Sequence, residues 1–146
     1  MIVLRPLLNS IFYRPQVNSG LERLKDAGKY SYVHMDGTMK GLIKETSETG
    51  FTVLEALTPS PVGDIAFEEI QTWINKETII WGGIPGIYFT DLIDDAQFDE
   101  FVIGILKVMK TDHRYVLGVA DQVPPLARWE RIQRVSQLVE KYGKYE

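Results

Sequence analysis

The chain has 146 residues, 45% of them hydrophobic, and a formal net charge of −4 from 16 basic and 20 acidic side chains. This length suits one domain with a substantial core, and mild acidity without a basic stripe argues against nucleic acid as a partner. There is no cysteine, which excludes disulfides and thiolate metal ligands and fits a cytoplasmic setting.

No apolar run approaches the roughly 20 residues of a membrane span, so no membrane partner is expected. The opening Met1-Ile2-Val3-Leu4-Arg5-Pro6-Leu7-Leu8 looks faintly like a signal peptide. Arg5 and Pro6 interrupt it and no small-residue cleavage site follows, so residues 1–14 read as an N-terminal packing arm. Pro15 suits a first helical turn. Val17, Leu21 and Leu24 recur at helical spacing before Gly28, which predicts a helix over 15–27. Tyr30 to Met35, rich in aromatic and β-branched residues, predicts a strand. Met39, Leu42 and Ile43 mark a second helix that Gly50 ends. Phe51 to Leu57 predicts a second strand, apolar except at Glu55.

The turn-rich run Thr58-Pro59-Ser60-Pro61-Val62-Gly63 follows. Asp64 is a natural N-cap for a third helix with the face Ile65, Ile70, Trp73 and Ile74. Thr78 to Trp81 predicts a strand buried on both faces, leading into the loop Gly82-Gly83-Ile84-Pro85-Gly86. Phe98, Phe101, Val102, Ile105 and Met109 define a fourth helix. Tyr115 to Ala120 predicts the fourth strand, ending at Asp121. Pro124-Pro125 forces a break. Ile132, Val135, Leu138, Val139 and Tyr142 give a last helix that Gly143 closes. Strands alternating with helices, each connection long enough for a right-handed crossover, predict an α/β fold with a parallel sheet. Two architectures fit: an open doubly wound sheet, or four consecutive units of a (βα)8 barrel.

Several segments in shared order carry a resemblance. They are Leu24-Lys25-Asp26-Ala27-Gly28-Lys29, His34-Met35-Asp36-Gly37, Trp81-Gly82-Gly83-Ile84-Pro85, and Gly118-Val119-Ala120-Asp121-Gln122-Val123-Pro124-Pro125. Glu130-Arg131-Ile132 and Val139-Glu140-Lys141-Tyr142-Gly143 complete the set. Together they resemble the uroporphyrinogen decarboxylase family, which includes the cobalamin-linked methyltransferases. The resemblance implies a single domain over 1–146, in which 15–146 form a (βα)4 unit corresponding to the C-terminal half of a TIM barrel. The arginine-rich region and the aspartate of the true decarboxylases fall in the half not represented. The His-x-Asp-Gly motif places the chain nearer the methyltransferase-like branch, and that branch implies a separate corrinoid protein as partner. A half barrel would expose unpaired edges on its outer strands, which a homodimer of eight strands would resolve. An inactive truncated homologue acting as an interaction subunit is the alternative. Tetrapyrrole decarboxylation would need converging arginines, of which Arg5, Arg14 and Arg128 are available.

The residues at the strand ends carry the candidate chemistry. His34 and Asp36 stand one apart, so alternation points both to one side. In the methyltransferase branch a histidine-x-cysteine pair and a later cysteine bind zinc. The resemblance places Asp36 and Asp121 at the cysteine positions. His34, Asp36 and Asp121, with Glu55 able to join, can hold a divalent metal as an oxygen-rich set. A hydrogen-bonded His34–Asp36 pair that merely ends a strand is the competing reading. Glu55 in an apolar strand needs a partner and is the candidate to bind or move a proton. Trp81 can wall a small-molecule substrate pocket or pack in the core. No phosphate loop or nucleophile elbow is present, and no bound organic cofactor is expected. His113, the run Asp91 to Asp95 and the charges of the last helix read as solvent-facing surface.

Overall fold

The computed structural model describes residues 14–112 and 114–145. The predicted arm, apart from Arg14, and His113 lie outside the described residues. Helix α1 spans Arg14–Asp26, strand β1 Tyr32–His34, α2 Ile43–Glu48 and β2 Val53–Leu57. A 3-10 turn at Phe67–Glu69 runs into the short α3, Ile70–Trp73. Strand β3 spans Ile79–Pro85, followed by a 3-10 turn at Gly86–Phe89. Helix α4 is Asp95–Met109, β4 Tyr115–Ala120 and α5 Trp129–Tyr142.

The four strands form one sheet in the order β1-β2-β3-β4, every pair parallel. Sequential parallel order with right-handed crossovers places all the crossover helices on one side. Side-chain alternation agrees. Leu54, Ile80 and Tyr115 are buried among Ile43, Phe98, Val102 and Ile105, whereas Trp81, the neighbour of Ile80, is 44% exposed. The sheet is curved: β2 and β4 come within 8 Å between Cα atoms although β3 lies between them. Flat strands spaced at about 4.8 Å would stand about 9.6 Å apart. This is the (βα)4 half-barrel unit, concave on its open face.

Three elements differ from the sequence reading. The second helix begins only at Ile43, so Met39 and Leu42 lie in the turn before it. The third helix is shorter than its apolar spacing suggests, and Asp64 does not cap it. The Asp64 carboxylate instead accepts from the backbone N–H of Met39 and Lys40, at 2.7 and 3.1 Å, tying down the turn after β1. Strand β3 runs through Gly82-Gly83 rather than stopping there. Both glycines have positive φ, and the β2–β3 register slips between Leu54 and Leu57 at this level. The extra residue is on β2, where Glu55 and Ala56 (φ +65°) stand against Trp81 alone. A bulge bends a strand and raises its twist without ending its pairing. The helix α4 cap is conventional: Asp94 Oδ1 accepts from Gln97 N–H at 2.8 Å, and the Gln97 side chain returns the bond. Among the described residues no helix is long and apolar enough to cross a membrane.

Candidate active site

Parallel strands share one C-terminal end, and in barrels that end carries the chemistry. His34 is the last residue of β1 and lies directly across from Glu55 of β2 in the register. Its Nδ1 is 2.6 Å from Glu55 Oε2, a charge-assisted length. Its Nε2 lies 3.6 Å from Asp121 Oδ1, an ion-pair distance too long for a hydrogen bond. Asp121 directly follows β4, three strands away, so the curvature of the sheet and the reach of both side chains bring it to His34. Asp121 sits at φ +69°, a left-handed conformation that aspartate tolerates better than most residues.

The structure therefore joins His34, Glu55 and Asp121 but gives His34 partners other than Asp36. Asp36 lies beyond the strand end, is exposed and engages no partner among the described residues. It acts on His34 only through its charge. Trp81 is placed on the concave face rather than in the core. The register pairs Leu54 with Ile80, so Glu55 and Trp81 are the next residues on adjacent strands. The indole lies over Gly118 of β4, where a Cβ would come within 2.9 Å of its Nε1. His34 and Glu55 thus pair in register, and Trp81 stands opposite the Glu55–Ala56 bulge on the next strand.

Both ring nitrogens of His34 face carboxylates, and the protonation equilibrium responds. The hydrogen bond to Glu55 raises the His34 pKa above its usual 6.5, with the charges of Glu55, Asp36 and Asp121 adding and slight burial opposing. A histidine whose pKa is raised by folding contributes stability that is complete below 6.5 and is lost as pH rises through the folded value. An NMR titration of the His34 ring should give a midpoint above 6.5 that falls toward it in Glu55→Gln. A midpoint at or below 6.5 in the unsubstituted protein would refute the bridge.

The donor chemistry suits a hard divalent cation better than a thiophilic one. As placed, however, no group of three such side chains converges on a metal position among the described residues. One imidazole divides its two nitrogens between two carboxylates, so a cation would have to displace one of them. Arg128, a candidate for substrate carboxylates, is held instead by Asp95 at 2.7 Å, beside α4. Two clefts of about 540 and 510 Å³ lie elsewhere, one beside β4 and one below the N-terminal ends of β1 and β2.

Sequence reasoning missed Arg131. It is 2% exposed, not a solvent charge, and donates to the carbonyls of Tyr88, Thr90 and Ile93 and to Asp95. No sequence signal separates it from Arg128 or Arg134 except its place on the apolar side of α5.

No family model matches the chain. No curated protein matches it either.

Proposed function

We propose that this chain is a half-barrel protein of the uroporphyrinogen decarboxylase type, on the methyltransferase-like side, that handles a small polar substrate at the mouth of its sheet. The observation supporting this reading is the His34–Glu55–Asp121 bridge at the C-terminal strand ends, beside the half-open Trp81. Glu55 fixes His34 with Nδ1 protonated and steadies the imidazolium. Nε2 is then the atom that can give a proton to, or take one from, a group bound between β1 and β4. Asp121 and Asp36 supply negative charge for a polar or cationic group, or oxygen donors for a divalent metal such as zinc. Trp81 offers a flat wall. A methyl-transfer role of this type works with a separate corrinoid protein as methyl carrier.

Zinc uptake tests the branch. Under this reading, equilibrium dialysis against zinc gives one bound ion per chain, and His34→Ala abolishes it. No zinc uptake by the unsubstituted chain would overturn the methyltransferase-like reading. One observation favours a second reading, an inactive homologue serving as an interaction subunit: both nitrogens of His34 are engaged by carboxylates and no three donors converge among the described residues. Under that reading, His34→Ala changes the pH dependence of stability and nothing else.

A further inference from the structure

We propose that the outer edges of β1 and β4, which pair with no further strand among the described residues, form with the groove beside β4 the interface with a second copy of this chain. Two copies close an eight-stranded parallel barrel around His34, Glu55 and Asp121. Such an assembly does not depend on metal or substrate.

Edge chemistry is the first support. In a parallel ladder alternate residues turn both backbone groups to the same neighbour. Ile80 N–H donates to Arg114 O, so Arg114, Val116, Gly118 and Ala120 face β3. Tyr115, Leu117 and Val119 therefore face the outer edge. On β1, Val53 N–H donates to Ser31 O and Met35 N–H to Glu55 O. Ser31, Val33 and Met35 thus face β2, while Tyr32 and His34 face outward. The Tyr145 hydroxyl donates to Tyr115 O at 2.9 Å and covers the first edge carbonyl of β4. Leu117 and Val119 remain, two edge residues against the two of β1. The β4 edge lacks the usual charged guard, since it is uncharged from Tyr115 to Ala120.

Shape is the second. Helix α5 overhangs the outer side of β4, and the groove of about 540 Å³ between them is lined mainly by apolar groups, among them Met109, Leu117, Val135 and Val139. It is a slot for one more strand at the end of a sheet already curved as a barrel sector. Helix α1 borders the cleft under the N-terminal ends of β1 and β2. In the closed barrel the partner's α5 covers β1.

Area is the third. Tyr30, Tyr32 and Trp81 are 85%, 66% and 44% exposed. At about 150–250 Å² per aromatic side chain they present about 400 Å² per chain. Two copies offer about 800 Å² from these aromatics alone, to which two strand junctions and two α5 grooves add, against the roughly 1,200 Å² of a stable interface.

Light scattering on the full chain at tens of micromolar should give twice the 16.7 kDa of one chain. Leu117→Pro and Val119→Pro each remove an outward N–H from an edge strand, where proline is tolerated. Each should give a monomer with unchanged far-UV circular dichroism. In the unsubstituted protein, the Leu117 and Val119 amides should gain protection from hydrogen exchange as concentration rises, which decides the matter if the proline variants do not fold. A monomer at these concentrations overturns the proposal. So does a dimer indifferent to both folded proline variants, or edge protection independent of concentration, which would mean that the chain's own residues fill the slot. Zinc uptake by a monomer would leave the site reading standing while removing this one.

Discussion

Arg131→Met is expected to destabilise the protein by about 2–4 kcal/mol, because one buried and two part-buried carbonyls lose a charged donor. Methionine keeps the length and most of the packing, so the loss reports on hydrogen bonds rather than on a cavity. The Arg131 guanidinium serves three backbone carbonyls, those of Tyr88, Thr90 and Ile93, together with Asp95. Each carbonyl left dry without a donor costs about 1–3 kcal/mol. The guanidinium also lies over the Phe98 ring, 5.1 Å from its centroid, which ties α5 to the core side of α4. Asp95 feels the same group: hydrogen bonds from Arg131 and then Arg128 hold its carboxyl below the usual range. Urea unfolding checks the size. A loss below about 1 kcal/mol would mean that water replaces the guanidinium at these carbonyls. Arg134→Met is the comparison, because its partner Asp99 is reached at a solvent-exposed site where an ion pair is worth little.

This residue also shows where sequence reading stops. The four strands were legible because apolar, β-branched runs bounded by glycine and polar residues have few other uses. The curvature that brings Asp121 to His34 was not, because the irregularity beside it, an extra β2 residue at Glu55–Ala56 against the glycines of β3, leaves no mark in an apolar run. His34 and Asp121 stood out as polar residues at strand ends. Their grouping with Glu55 rather than Asp36 depends on register. Residues two apart on a strand are separated by about 6.6 Å, whereas residues opposed across strands are about 4.8 Å apart. The nearer carboxylate to His34 is therefore the one across the ladder. Asp64 looked like a helix cap by composition, and its use by the Met39 and Lys40 amides depends on a turn 24 residues away in the chain. Arg131 carries no local mark beyond its place on the apolar side of α5, because burial belongs to the packed α4–α5 pair and not to the charge.

Gly82→Ala is expected to cost about 2–4 kcal/mol, combining strain at positive φ with overpacking. Gly82 sits at φ +136°, and an added Cβ would stand 2.7 Å from Leu57 N and 3.0 Å from Leu57 O. Those are backbone atoms of the neighbouring strand, so no rotamer change relieves the contact and β2 must move. The movement reaches the site directly, since Glu55 lies two residues before Leu57 and Trp81 immediately before Gly82. The His34 titration should therefore shift toward its ordinary value in Gly82→Ala, as the Glu55 carboxylate leaves Nδ1. Gly104→Ala is the control. Gly104 is helical in α4, and a Cβ added there would meet nothing within 4 Å. There the substitution should stabilise by about 0.5–1 kcal/mol through helix propensity alone. If both alanines change the urea midpoint by similar small amounts, the bulge is not a fixed feature of the barrel wall. The link from curvature to the His34–Asp121 approach then fails with it. If only Gly82→Ala is costly, and the histidine titration moves with it, the glycine bend is what holds the site together.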